Sequence, residues 1–144
     1  MTTLNQPALG FSTAPAPDLS NRAVQARLSG SALTAFFKLA RAWQLRDESA
    51  RHLLGGVSNG MYYQLKSGRK KTLGQDELTR ISLLVGIFRA LNVLYSRKLA
   101  DAWVQLANKN PLFQGEPPLR YMLQGGVPAL VRIRQLLDSR LEGR

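Results

Sequence analysis

Apolar residues recur at spacings of three and four along most of the chain beyond about residue 30, and nowhere alternate as a strand requires. From Ser31 to Trp43, the residues Leu33, Phe36, Phe37, Ala40 and Trp43 form one stripe, with Lys38 and Arg41 off it. Two short helices are expected next, Asp47 to Leu54 and Ser58 to Lys66, the second turning Tyr62 and Leu65 inward. Asp47 and Glu48 suit the positive end of the first short helix, and Asp47 is expected to cap it. From Gln75 to Tyr95 the apolar positions cover an arc of roughly 200°, about twice what a surface helix needs. That helix must be covered on two sides. A helix from Arg97 to Asn108 is expected to bury Leu99, Ala102, Trp103 and Leu106. The turn-rich NPLFQGEPP follows, with Leu112 and Phe113 tucked inward. A short helix then runs through Met122 to Gly125-Gly126, and a last one opens at Pro128 with Leu130, Ile133, Leu137 and Leu141. The fold class expected is all-α.

Four regions follow from this pattern. Residues 1–29 hold Pro7, Pro15 and Pro17 among small polar residues and are expected to form a flexible tail, with at most a helical turn near residues 21–28. Residues 30–73 form a helix-turn-helix region, 74–95 a connecting and dimerisation helix, and 96–144 a C-terminal module.

The stretch from Asp47 to Lys71 is the chemically informative one. Two short helices joined by Gly55-Gly56 outline a helix-turn-helix, whose second helix enters the major groove of DNA. The paired glycine makes the turn one residue longer than the commonest arrangement. Ser58 caps the second helix, and Ser58, Asn59, Tyr63 and Gln64 face outward, where they can bond base edges and phosphates. Lys66, Arg69, Lys70 and Lys71 follow at its end, where phosphates would lie.

Charge supports that reading. Twenty cations against nine acids give a formal net charge of +11, which points to an anionic partner. Double-stranded DNA is the expected one, bound by a homodimer, since one small helix-turn-helix offers few base contacts. There is no cysteine and only one histidine, His52, so neither a metal site nor a catalytic constellation can be assembled. GGVSNGM lacks the Lys and Ser/Thr of a phosphate-binding loop. No enzyme activity, cofactor or membrane span is expected, and a soluble cytoplasmic protein is.

The C-terminal module carries a resemblance. Trp103 in AWVQLANKN, the segment NPLFQGEPPLRYM and the GG-P-L-V run into a terminal helix resemble the toxin-binding domain of Xre/MbcA/ParS-type antitoxins, and LLGGVSNGMYYQLKSG resembles their helix-turn-helix half. The resemblance implies an antitoxin paired with a RES-domain toxin that consumes NAD, blocking its active site and repressing the shared operon. The toxin-binding residues it implies are Trp103, Asn110, Phe113, Pro117, Pro118, Leu119, Leu141, Glu142, Gly143 and Arg144, with the Arg144 guanidinium entering the toxin's site. The residues alone leave open a stand-alone repressor, or a nucleoid protein without sequence preference.

Overall fold

The structure, a computed structural model, describes residues 16–143. Among these residues it is all-helical: α1 (Arg22–Ala42), α2 (Asp47–Leu53), α3 (Asn59–Lys66), α4 (Gln75–Leu94), α5 (Arg97–Ala102) and α6 (Pro118–Leu141). Two single 3₁₀ turns, Trp103–Gln105 and Pro111–Phe113, join α5 to α6.

Helix α1 starts nine residues before the expected Ser31 and takes in most of what reads as the end of a tail. Asn21 caps it by accepting the amide of Val24 at 3.1 Å. Gly30 costs an exposed helix about 1 kcal/mol relative to alanine, and Gln25 and Ser29 place polar groups on the inner face. All of those groups find partners. The Gln25 amide donates to the Leu19 carbonyl at 2.8 Å, and the Ser29 hydroxyl donates to the Gln25 carbonyl at 2.6 Å. The Ser29 oxygen also accepts the amide of Leu73 at 2.8 Å. Tertiary hydrogen bonds thus override a local sequence that reads as loop.

Helix α4 is the central element, packed by α1 on one side and α6 on the other. Leu78, Ile81, Leu84, Ile87 and Leu91 are buried, and Phe88 lies 6.1 Å from Trp43 ring to ring. The wide arc is therefore covered in large part within one chain, with Leu83, Val85, Phe88 and Leu94 left half-buried. One hydrophobic core runs from Leu33 in α1 to Leu137 in α6, and α2 also touches α6. Phe36, fully enclosed in that core, has the burial for which truncation to alanine costs about 3–5 kcal/mol.

Helix α5 differs from expectation. It is shorter, and between it and the following 3₁₀ turn Ala100, Trp103 and Val104 are buried, Ala102 is half-buried, and Leu99 and Leu106 are 41% and 48% exposed. The Trp103 indole sits edge-on to Phe113 at 5.7 Å, and Gln105 donates to the Trp43 carbonyl at 3.1 Å. Both contacts accompany the change from α-helix to 3₁₀ turn at Trp103, which takes Leu106 off the helical stripe. Leu112 is half-buried and Phe113 buried, as expected.

Helix α6 breaks at Gly126, whose φ of 61° and ψ of −147° belong to a region open in practice to glycine alone. The two expected helices meet there at an angle.

Candidate nucleic-acid interface

The turn between α2 and α3 follows from its residues. Gly55 and Gly56 take φ of 114° and 77°, which a side chain would strain. Arg51 holds the turn closed by donating to the Val57 carbonyl at 2.9 Å. A methyl group on Gly55 would stand 3.2 Å from the Asp76 carboxylate, so the turn packs directly on the first turn of α4. Ser58 caps α3 by accepting the Met61 amide at 3.2 Å.

With Tyr62 and Leu65 buried, Ser58, Asn59, Tyr63 and Gln64 all face solvent. Tyr63, 52% exposed, is held edge-on to Tyr62 at 5.2 Å. Lys66, Arg69, Lys70 and Lys71 are exposed as well. The Arg69 guanidinium donates to the side-chain oxygen of Gln64, so these two act as one unit. The arrangement presents amide and phenol groups for base edges and guanidinium and ammonium groups for phosphates.

Asp47 does not cap α2, contrary to expectation. It is the first residue inside the helix, and its carboxylate reaches across to α3. There it accepts Lys66 at 2.7 Å, the Tyr62 hydroxyl at 2.9 Å and the Tyr63 hydroxyl at 3.4 Å. The Lys66 bond, then the Tyr62 bond, hold the Asp47 carboxyl below its usual range. Burial, helped by Asp47, pushes the Tyr62 hydroxyl well above its ordinary value, so it stays a donor. His52 is exposed on α2, and its ring nitrogen lies 3.2 Å from the Arg51 guanidinium.

Sequence reasoning missed one wall of the cationic surface. A groove of roughly 780 Å³ lies between α1 and the segment after α3. Arg27 and Arg41 of α1 line one wall, and Lys66, Arg69, Lys70 and Lys71 the other. Leu33 and Phe37 lie between them, and no carboxylate lines it. The Ser29 to Leu73 bond fixes the far wall to α1. Arg27 was assigned to a tail and Arg41 to a solvated face, and nothing local in the sequence joins them.

The residues implied for toxin binding fall into two sets. Trp103, Phe113 and Pro118 are buried, with Tyr121 edge-on to Phe113 at 5.6 Å, so these residues shape a surface from beneath. Asn110, Pro117 and Leu119 are half-buried, and Asn110 caps its 3₁₀ turn by accepting the Leu112 amide at 2.9 Å. At the end of α6, Leu141 is half-buried and Glu142 and Gly143 are exposed. Arg144 lies outside the described residues. No helix among the described residues is long and apolar enough to cross a membrane.

Comparison with known proteins bears on this geometry. Residues 22–86 match the family model of the antitoxin Xre-like helix-turn-helix domain. That segment opens at the first residue of α1 and ends midway along α4, so it contains the groove, the turn and α3 together. The chain is also 34% identical over 112 residues to the uncharacterized protein y4oB of Sinorhizobium fredii (strain NBRC 101917 / NGR234), covering 77% of this chain and 84% of the relative. No solved structure matches.

Proposed function

This chain belongs to the family of that relative, with an antitoxin Xre-like helix-turn-helix domain over residues 22–86, and from that premise we propose that it neutralises a RES-domain toxin and represses its own operon as a homodimer. The domain gives the chain an antitoxin and DNA-binding role. The observation that carries the operator reading is the exposed face of α3, where Asn59, Tyr63 and Gln64 stand beside the exposed cations Lys66, Arg69, Lys70 and Lys71. Such a face suits one half-site, and a second copy would supply the other half of a palindrome.

The toxin reading rests on the resemblance of the C-terminal segment. In it, the core packing of Trp103, Phe113 and Pro118 supports a docking surface formed by Asn110, Pro117 and Leu119. The segment that follows α6, through Glu142 and Gly143 to Arg144, is the part assigned to the NAD pocket in this reading. The role is inhibitory and regulatory, with no reaction catalysed by this chain.

Co-expression with a RES-domain toxin, the partner expected to be encoded beside this chain, tests this. The wild-type chain should copurify with that protein and abolish its NAD consumption. A chain lacking Gly143 and Arg144 should bind operator normally and restore consumption. Full neutralisation by the truncated chain would remove Arg144 from the mechanism. A failure of the wild type to bind the toxin would leave a stand-alone repressor. Light scattering tests the homodimer: a monomer at high concentration would transfer dimerisation to toxin or DNA.

A further inference from the structure

We infer that the groove between α1 and the segment following α3 is a second phosphate track, holding DNA backbone beyond the base pairs read by α3. The inference deepens the operator reading and rests on it.

Three observations carry it. First, the groove's charged lining is all cationic: Lys66 is paired with Asp47, whereas Arg27, Arg41, Lys70 and Lys71 are exposed and have no ion-pair partner among the described residues. Like charges gathered along one channel repel one another, and a polyanion laid in the channel relieves that repulsion. Second, α3 is flanked asymmetrically. The hollow beside Asn59 and Tyr63 mixes the carboxylates of Asp47 and Glu48 with the Arg51 guanidinium, whereas the groove is lined by cations alone among its charged residues. Backbone leaving the reading face therefore meets the stronger attraction on the groove side. Third, the groove is continuous with that face, because Lys66 lies at the end of α3 and Arg69 bonds Gln64 while lining the groove.

The dimensions fit a backbone rather than a single phosphate. Arg27 and Arg41 are fourteen positions apart on α1, about 21 Å at 1.5 Å per residue. A strand of duplex presents a phosphate about every 3.4 Å of helix axis, so several fall within that span. The two arginines stand off the reading face, so their contribution is independent of sequence.

The test is equilibrium binding of the full chain to a selected duplex and to a scrambled one, from about 50 to 200 mM salt. The variant is Arg27→Gln with Arg41→Gln; both positions are exposed, so the fold is retained. Each lost phosphate contact lowers the slope of log affinity against log salt by about 0.9. Over this fourfold salt range the wild type should then lose about tenfold more affinity than the variant. Both duplexes should be affected alike, and Arg27→Lys with Arg41→Lys should recover most of the slope. An unchanged slope overturns the track while leaving the reading by α3 intact. A change confined to the selected duplex overturns it too, by making the arginines base-reading groups. A wild-type chain that binds neither duplex ends both readings.

Discussion

The Ser29 hydroxyl and the Leu73 amide meet at 2.8 Å across 44 residues of sequence, and that bond fastens the cation-bearing segment after α3 to α1. Both groups are buried. The bond therefore sets the position of one wall of the phosphate groove relative to the other.

Ser29→Ala removes the acceptor and strands a buried amide. The expected loss of stability is about 1–3 kcal/mol, read by denaturant unfolding. Affinity for all duplexes should fall together, with sequence preference unchanged. Unaltered stability would mean that the Leu73 amide has another partner.

Asp47 gives a prediction in pH and one in DNA binding. Its folded carboxyl is held below the ordinary value of 3.8, first by Lys66 and then by Tyr62. A depressed carboxyl contributes stability that is fully present above the ordinary value and is lost as pH falls through the folded one. Wild type should thus be more stable than Asp47→Asn near neutral pH, and the two should converge in acid. Asp47→Asn also frees Lys66 and removes a negative charge beside α3. Its affinity for every duplex should rise, and its salt slope should steepen by about one unit. A uniform fall in affinity would instead make Asp47 chiefly an organiser of α3.

Gln64 and Arg69 should behave as a pair. Because their side chains are bonded, removing either disturbs the other. A double-mutant cycle with Gln64→Ala and Arg69→Ala, read as affinity for the selected duplex, should show a coupling of about 0.5–3 kcal/mol. Strict additivity would place the two in separate contacts.

Gly126→Ala tests the break in α6. The φ of 61° with ψ of −147° costs a side-chain-bearing residue about 1–3 kcal/mol. Thermal unfolding should register that loss. Binding of duplex by α3 should survive under folding conditions, whereas neutralisation of the toxin should weaken as the second half of α6 is redirected.

The helices and the outward face of α3 were legible in the sequence because period alone decides them. Tyr62 and Leu65, three apart, fix which way Asn59, Tyr63 and Gln64 point. The glycine pair and Ser58 likewise encode the turn and the cap locally. What was illegible depends on distant partners. Ser29 looks like a loop residue until the Leu73 amide meets it, and the start of α1 was lost with it. Arg27 and Arg41 become one wall of a groove only once the segment after α3 folds back on α1. Asp47 reads as a cap, yet Lys66, Tyr62 and Tyr63 draw it to α3. Leu99 and Leu106 fit a helical stripe, but the chain leaves the α-helix at Trp103, which packs against Phe113, and both stand exposed. The all-helical class and the helix-turn-helix domain needed none of these long-range facts.

The central claim is that the exposed face of α3 reads DNA sequence. It is tested most directly by a variant combining Asn59→Ala, Tyr63→Ala and Gln64→Ala, with a duplex selected by the wild-type chain from a random pool. All three side chains are exposed, so the variant should stay folded, with a small loss of stability from the Tyr63 contacts to Tyr62 and Asp47. Affinity for the selected duplex should drop by about 1–3 kcal/mol per lost base contact. Affinity for a scrambled duplex, set by the cations, should change little. A variant that still prefers the selected duplex as strongly as the wild type would contradict the account.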